Sequence, residues 1–561
     1  MHAERNGTAV SDTTISTGRD PAPPAPSTGP LFVRQATGLV RGWSALDASI
    51  YCFFAISFGA FGFYVFSLAC FIPEGSLPWA VALTTIFLVF EILVYAALMA
   101  VMPRAGGDYV WQTRVLGGGL GFVLAIAGWW FAMWQFVPIY GSLIVMEVVN
   151  PLLGAVGATS TANWFASDDG ILVSSIAVVA ISSYWVAMGV GGYAKVQKWS
   201  LIIGGVGLAI VFGLLLFHSN GDFRTAFDRE SAAQFGAGAD AYARTLEVGG
   251  IDAVGLSFPS QTWLLIPLVL FWNMWVIWGA VLAGETRGAR DMGRNVLSMG
   301  GALVAAAVLA FVFFGLAAKT FGWDFYHSAN GAYWGAAYGT LPEGAEAPLS
   351  TWPSPVMMAG WLVDSAAFQV VLILLNAFWL IGLLGTLFLS ATRVIFAAAF
   401  DRVLPEPVAK VTKKRRVPWV ALLLLMVPGI VVSFLYAYWG NFATYVLNCA
   451  LLLAVTFLGT ALAAILLPFR MKNLYRTSPL ARFEYRGIPL ISVCGAAFAV
   501  FLLFNLYYWL TDDVYGVNNR DSMIYLGVLY ALAIGIFAVS SFVRRRQGVR
   551  LTQVHREIPA D

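Results

Sequence analysis

Twelve long apolar stretches follow one another along the chain and constrain its fold more than any other feature. Each holds about 20 residues or more, the length that an α-helix needs to cross the hydrocarbon core of a bilayer. Polar segments separate them. The pattern predicts an all-α integral membrane protein of about twelve transmembrane helices. These predicted helices, numbered 1 to 12, are residues 43–70, 79–102, 120–149, 171–190, 196–217, 260–284, 297–318, 366–396, 418–437, 442–467, 489–510 and 523–543.

The scarcity of charged residues supports the same conclusion. Asp, Glu, Lys and Arg make up 11% of the 561 residues, against about 25% in a typical soluble domain. So few charges cannot cover a water-soluble body of this size, which excludes a soluble globular protein. The net charge of +3 is small for this length, and the basic residues form no separate polar domain. We therefore expect the lipid bilayer as a partner and no nucleic acid.

The cysteines and histidines predict neither a metal site nor a cofactor. Neither residue type shows a CxxC or Cys/His spacing. The four histidines lie in the tails, at a helix end or in a loop, so haem or copper ligation inside the membrane is not expected. The four cysteines lie in or at the ends of apolar stretches, at Cys52, Cys70, Cys449 and Cys494.

Twelve membrane helices place the segments between them alternately on the two sides of the membrane. The Lys and Arg residues are divided unevenly between these two sides. With the N-terminus inside, 28 of the 33 fall on the inner side. Basic residues mark the cytoplasmic side of a membrane, so we expect a plasma membrane protein with both termini in the cytoplasm. Residues 1–37 are rich in Ser, Thr, Gly and Pro and lack the apolar core of a signal peptide. The expected organisation is a disordered tail at 1–37, a membrane domain at 38–545 and a C-terminal tail at 546–561.

A glycine-rich segment interrupts the apolar pattern near the middle of helix 1. It reads Ser-Phe-Gly-Ala-Phe-Gly from Ser57 to Gly62. Within lipid the backbone can leave helical geometry only where its free groups face protein, ligand or water. One interpretation is a broken helix whose freed amides and carbonyls bind a substrate or an ion at mid-membrane. The other is a small-residue face that lets helices pack closely.

Helix 6 carries a polar amide, Asn273, at mid-span together with three tryptophans at positions 272, 275 and 278. Tryptophan in membrane helices usually lies at the interfaces, so a central row needs another cause. The row could wall a substrate pocket and stack on a cation. It could also be bulky packing alone.

An acidic residue, Glu91, lies at the centre of helix 2, which contains no basic residue. Acids inside the membrane are costly, and a functional role is their default hypothesis. Glu91 could be a protonated side chain that hydrogen-bonds a neighbouring helix. Alternatively, it could titrate as a proton-coupling site.

Motifs at the predicted cytoplasmic joints resemble those of one family. The chain reads PRAGGDYV at 103–110, Gly-Glu-Thr at 284–286, SATRV at 390–394, DRVLP at 401–405 and Pro-Trp at 418–419. In order and spacing, over roughly residues 38 to 545, this set resembles the amino acid/polyamine/organocation (APC) superfamily of secondary transporters. In that superfamily the joint between helices 2 and 3 reads like PR(S/A)GG(E/D)YV, and helix 6 ends in a Glu-containing turn.

The resemblance implies a fold of two inverted five-helix repeats, helices 1–5 and 6–10, with broken helices 1 and 6 and two extra helices, 11 and 12. It also implies a permease that moves amino acids or related amines by alternating access around a mid-membrane site. H⁺ or Na⁺ is then the candidate coupling ion. The candidate substrate-binding residues carried over are Ser57, Gly59, Ala60, Phe61, Gly62, Asn273, Trp275 and Trp278, with Glu91 as the candidate for proton coupling.

Several positions depart from the family pattern. Helix 1 usually reads G-(S/A)-G, yet Phe61 stands at the second glycine position, and Trp275 lies about where helix 6 commonly has glycine. Both changes reshape the pocket, which makes a non-amino-acid organic cation or a polyamine an alternative substrate. Some proton-coupled members carry a lysine within helix 5, where this chain has about Gly204.

Other classes of membrane protein have less support. The chain contains no GxxxxGK(S/T) motif, so ATP hydrolysis is not the expected source of energy. A membrane-embedded enzyme would need a cluster of nucleophiles at one face, and a sensor would usually append a signalling domain. Neither feature is visible in the sequence, and we expect no enzymatic activity.

Overall fold

The computed structural model describes residues 38–39, 41–255, 257–258, 261–439, 442, 445 and 448–557. Within these residues twelve helical spans are long and apolar enough to cross a membrane, which confirms the predicted all-α, twelve-helix architecture. The predicted N-terminal tail, 1–37, lies outside the described residues. In chain order, helices 1 to 12 are Ala45–Phe71, Leu77–Val101, Gly118–Ala155, Asp168–Ala187, Val190–Phe217, Thr262–Glu285, Met292–Tyr338, Ala366–Phe400, Trp419–Tyr438, Asn448–Arg470, Leu490–Thr511 and Arg520–Arg546.

Four of the spans are composite. Helix 1 consists of Ala45–Ile56, a π-helical turn at Phe58–Gly62, Phe63–Ser67 and a 3₁₀ turn at Leu68–Phe71. Helix 6 changes from α at Thr262–Asn273 to 3₁₀ at Met274–Glu285. Helix 3 joins Gly118–Ile126, Ala132–Ile144 and Asn150–Ala155 through π turns at Ala127–Phe131 and Val145–Val149. Helix 7 joins Met292–Ala317 to Trp323–Tyr338 through a π turn at Ala318–Gly322.

Shorter elements connect the spans. The connecting helices are Gly107–Val115, Thr159–Ala166, Asn220–Phe235, Ala241–Gly249, Pro355–Gly360, Lys472–Thr477 and Leu551–Val554. Short 3₁₀ helices lie at Glu406–Ala409, Pro479–Arg482 and Asp513–Tyr515. Two antiparallel strands, Glu484–Tyr485 and Ile488–Pro489, form a small hairpin between helices 10 and 11.

Helices 1 and 6 lie at the centre of the bundle. Within an apolar stretch of 18 residues, 89% of the residues are buried in helix 1 and in helix 6, whereas 11% are buried in helix 12. A helix that is apolar on all sides and buried by its neighbours belongs to a protein core. The two helices singled out by their interruptions are thus also the two most enclosed.

The start of helix 1 and the end of helix 6 lie side by side. The Trp43 amide donates to the Glu285 carbonyl at 3.1 Å, and the Arg287 amide donates to the Trp43 carbonyl at 2.9 Å. The Trp43 indole also donates to the carbonyl of Val190, at the start of helix 5, at 2.8 Å. These bonds tie helices 1, 5 and 6 together at the bundle end that carries the PRAGGDYV joint.

The opposite end of the bundle is covered by the segment between helices 5 and 6. Its two helices pack on the outer half of helix 7, where Phe223 meets Phe321 with ring centroids 4.6 Å apart. Tyr242 stacks on Phe325 at 4.2 Å with nearly parallel rings. These two helices and residues 318–338 of helix 7 therefore form one aromatic cap.

Candidate functional site

Helix 1 breaks at Ser57. This residue takes the left-handed conformation, with φ 45° and ψ 72°, and its amide closes the first half-helix on the Phe53 carbonyl at 2.9 Å. A residue with a side chain rarely adopts this conformation, because its Cβ crowds the following carbonyl. The next turn is wound as a π-helix, in which the Gly62 amide donates to the Ser57 carbonyl at 3.0 Å. The predicted interruption of helix 1 is present.

The break buries an unpartnered polar group at mid-membrane. The Ser57 hydroxyl is fully buried and has no hydrogen-bond partner among the described residues. The Ser57 carbonyl accepts two amides, those of Ala60 at 3.3 Å and Gly62 at 3.0 Å, so the backbone leaves the regular α-helical pattern here. Buried polar groups are nearly always paired, so an unpartnered hydroxyl at a helix break marks a candidate ligand site.

The two glycines of the segment allow close approach to tryptophans. A Cβ on Gly59 would lie 2.6 Å from the Trp379 ring of helix 8, and a Cβ on Gly62 would lie 3.0 Å from the Trp272 indole nitrogen of helix 6. The segment is therefore both a break in helix 1 and a close-packing face, while binding of a substrate or an ion at the break stays a prediction.

Helix 6 is interrupted by a change of winding. From Met274 to Glu285 it runs as a 3₁₀ helix, although such helices rarely exceed three or four residues. At the change, the Trp275 indole donates to the Phe271 carbonyl at 2.7 Å. The backbone thus tightens around mid-span.

The 3₁₀ winding brings two of the three tryptophans into line. Residues three apart are eclipsed in a 3₁₀ helix, and the rings of Trp275 and Trp278 lie 5.5 Å apart. Trp278 also lies 5.6 Å from Trp129 of helix 3. Trp272 faces helix 1 instead, where it meets Phe66 at 4.8 Å.

Aromatic rings from helices 1, 3 and 6 converge beside the break. Phe61 lies 5.1 Å from Phe271, and Phe136 of helix 3 lies 5.5 Å from Trp275. Tyr140 of helix 3 stands 6.5 Å from Phe61. Phe61, Trp275 and Trp278 thus belong to one aromatic wall that continues along helix 3.

Asn273 lies on a different face of helix 6. At 100° per residue it stands about 200° around the helix from Phe271, away from the contacts with helix 3. It is fully buried, and neither of its amide atoms has a partner among the described residues. The ring contacts of helix 6 therefore do not place Asn273 in the aromatic wall, although its position in the sequence suggested that it belongs with Trp275 and Trp278.

Glu91 is fully buried, and neither of its carboxyl oxygens has a hydrogen-bond partner among the described residues. One helical turn further along helix 2, the Tyr95 hydroxyl donates to Asp108 at 2.5 Å. Asp108 also accepts the Trp129 indole at 2.9 Å and the Thr460 hydroxyl at 2.5 Å. Burial raises the pKa of Asp108 above its usual value, although these hydrogen bonds oppose the shift.

Three motif residues, Glu285, Arg393 and Asp401, form two buried ion pairs at the same end of the bundle, the second of them with Arg114. Arg393 of helix 8 meets the Glu285 carboxylate of helix 6 through two nitrogens, at 2.7 and 3.1 Å. Arg114 meets Asp401 in the same two-pronged way, at 2.5 and 2.9 Å. These pairs connect the joints that carry the family motifs.

Sequence reasoning missed several residues of this region. Trp379, Phe136 and Phe271 are apolar residues in apolar helices, and the local pattern gives no sign that they meet the break. Asp108 was quoted only as part of a motif, although an acid between a Gly-Gly pair and a long apolar helix was a usable signal. The described residues contain no group of three or more His, Cys, Asp or Glu side chains arranged to hold a metal ion.

Comparison with known proteins identifies the family and agrees with the fold. The family model for amino acid permeases matches residues 42–537, most of the chain. The crystal structure of MhsT in complex with L-phenylalanine is similar to this fold, with a TM-score of 0.50 and 14% sequence identity over 82% of this chain and 97% of MhsT. No curated protein sequence gives a significant match. The chain belongs to the amino acid permease family, and it is a secondary transporter for amino acids within the APC superfamily.

Proposed function

We propose that the substrate of this permease binds between the helix 1 break and the aromatic wall of helices 3 and 6. The break at Ser57 carries the proposal, because this residue takes the left-handed conformation at mid-membrane and its buried hydroxyl has no partner among the described residues. The N-terminus of a half-helix favours a carboxylate, and the C-terminus of the preceding half-helix favours a cation. An amino acid zwitterion offers both charges.

The proposed site consists of the break from Ser57 to Gly62 together with Trp275 and Trp278, with Asn273 as a more distant polar group. Phe61 and Trp275 make it aromatic, which favours an apolar or aromatic side chain. The fold relative MhsT was solved with L-phenylalanine, so this amino acid is a first substrate to test. An organic cation or a polyamine is the second candidate, because aromatic faces also attract cations.

Proton coupling through Glu91 is part of the proposal, with Na⁺ as the alternative ion. A fully buried carboxyl without a hydrogen-bond partner among the described residues supports it. We further propose a location in the plasma membrane with both termini in the cytoplasm, supported by the 28 of 33 basic residues on one side. No enzymatic activity is proposed.

Uptake by purified protein in liposomes tests the site. We expect radiolabelled amino acid or amine uptake, screened across amino acids, polyamines and choline-like cations with sodium and pH varied. Trp275→Ala and Trp278→Ala should raise KM by roughly 5- to 30-fold, because a lost cation–aromatic or stacking contact is worth about 1–2 kcal/mol. The matched control is Trp361→Ala, a tryptophan equally buried in the outer part of the protein.

The outcome separates the site from general packing. Unchanged KM values in both helix 6 variants would remove the wall from the site. Equal losses in the Trp361→Ala control would show that the effect is one of stability.

A further inference from the structure

Trp379 of helix 8 stands directly over the helix 1 break. It is almost fully buried, and three atoms of its five-membered ring would each lie 2.6–2.7 Å from a Cβ built on Gly59. Nearly equal distances to neighbouring ring atoms mean that the face of the indole, and not its edge, covers Gly59. Only glycine fits beneath it, since real Cβ atoms do not approach so closely.

The indole is held in place on its other sides. Its N–H donates to the Gly204 carbonyl of helix 5 at 3.0 Å, and a Cβ on Gly204 would lie 3.2–3.3 Å from the ring. Phe53 and Phe54, from the end of the first half-helix, each lie 5.7 Å from it. The ring is thus enclosed by helices 1 and 5, with its one polar atom already bonded.

This placement has a steric consequence for any ligand of the break. The break at Ser57, with its buried and unpartnered hydroxyl, lies two residues from Gly59, so a charged head group bound at the break must fit against the ring. A bonded indole N–H leaves only the carbon face to meet that head group. Such a face tolerates an ammonium group but cannot move aside for a bulkier substituent, because helix 5 anchors it.

We propose that Trp379 is a specificity-determining residue that limits the size of the substrate head group. Resting on the proposed substrate site, this inference narrows the substrate class to amino acids or amines in which the carbon next to the amino group still carries a hydrogen atom. An α-methyl analogue places one additional methyl group between the break and the ring.

Competition uptake in liposomes measures the selectivity. The probe is an amino acid that the wild type transports, compared with its own α-methyl analogue. The wild type should prefer the unsubstituted compound in kcat/KM by roughly 10-fold or more, the usual effect of one methyl group in a closed pocket. Trp379→Leu and the milder Trp379→Phe should bring this ratio toward 1, mainly through the KM of the analogue.

A matched control is Trp130→Leu. Trp130 is also buried, and its indole donates to the Leu424 carbonyl at 2.9 Å, between helices 3 and 9. We expect this change to lower the transport of both compounds equally, leaving their ratio unchanged. A loss of stability alone scales both rates, so only a specificity residue changes the ratio.

A rescue experiment tests the contact itself. Gly59→Ala should abolish uptake, because its Cβ has no room under the indole. Gly59→Ala combined with Trp379→Leu should recover transport. Normal uptake by Gly59→Ala, or an unchanged selectivity ratio in both Trp379 variants, would overturn the inference while the proposed function stands. A wild type that takes up none of the screened compounds would overturn the proposed function itself.

Discussion

Ser57 shows how one residue decides where the central helix breaks. Its left-handed conformation costs about 1–2 kcal/mol for a residue with a side chain. The neighbouring glycines do not supply this turn, since Gly59 and Gly62 instead admit the rings of Trp379 and Trp272. The glycine-rich composition therefore predicted the correct place, but the break and the close approach belong to different residues.

A second prediction at the residue scale concerns Glu91 and proton coupling. Neither carboxyl oxygen of Glu91 has a hydrogen-bond partner among the described residues, and the side chain is fully buried. If Glu91 carries the proton, Glu91→Gln leaves exchange of substrate intact but abolishes the response of uptake to an inward pH gradient. The measurement is liposome uptake with and without that gradient, at fixed sodium.

Glu247→Gln provides the control for Glu91, since Glu247 lies exposed on a short connecting helix. It should keep the response of the wild type. A Glu91→Gln protein whose uptake still follows the pH gradient would assign Glu91 to helix packing.

At the scale of elements, the family motifs act as buried connections between helices. Arg393 and Glu285 join helices 8 and 6, and both side chains are almost fully buried. The 3₁₀ half of helix 6 ends at this pair. The buried ion pair therefore fixes the end of the 3₁₀ half of helix 6, because separating two buried charges is costly.

Breaking this pair on one side should be costly. We expect Glu285→Gln to lower the free energy of unfolding by about 3–5 kcal/mol, because it strands the Arg393 charge in the interior. Glu285→Gln with Arg393→Met should regain part of the loss. Unfolding in mixed micelles, followed by tryptophan fluorescence, measures both.

The half-exposed pair Lys198–Asp47 serves as the comparison for that prediction. Its nitrogen–oxygen distance is 2.6 Å, but the Lys198 side chain is 43% exposed. Lys198→Met should therefore cost no more than about 1 kcal/mol. Equal losses in the two experiments would mean that burial does not set the strength of the Arg393 pair.

At the scale of the whole molecule, the end of the chain returns to the bundle. After helix 12 the chain places His555 against the joint between helices 2 and 3, where its Nε2 lies 3.2 Å from the Tyr109 hydroxyl. The same Nε2 lies 3.9 Å from the Asp401 carboxylate. The predicted C-terminal tail is packed as far as the described residues extend.

Removing residues 547–561 should therefore destabilise the permease. Leu551 and Val554 are almost fully buried, and burial of each such side chain is worth about 1.5–3 kcal/mol. We expect a lower Tm in detergent, measured by intrinsic fluorescence during heating. Removing only 558–561, which keeps Leu551 and Val554 in the chain, should leave Tm unchanged, whereas a stable 547–561 deletion would show that the segment does not dock.

The sequence by itself determined the number of membrane helices, the interruptions of helices 1 and 6 and the family, but not the π turns of helices 3 and 7. These properties are local, because a hydrophobic run, a glycine-rich segment or a motif is complete within a few tens of residues. The resemblance also led to Phe61, Trp275 and Trp278, which the structure joins in one aromatic wall.

Only the tertiary structure decided which residues from distant segments meet, at the break and at the end of the bundle. Trp379 meets Gly59, Arg393 meets Glu285 and His555 meets Tyr109 because folding brings distant segments together. Because the helices of this chain are all similarly apolar, their composition does not show which residues make these contacts. Their choice depends on which helix faces meet at which depth, and that information is absent from any single stretch of sequence.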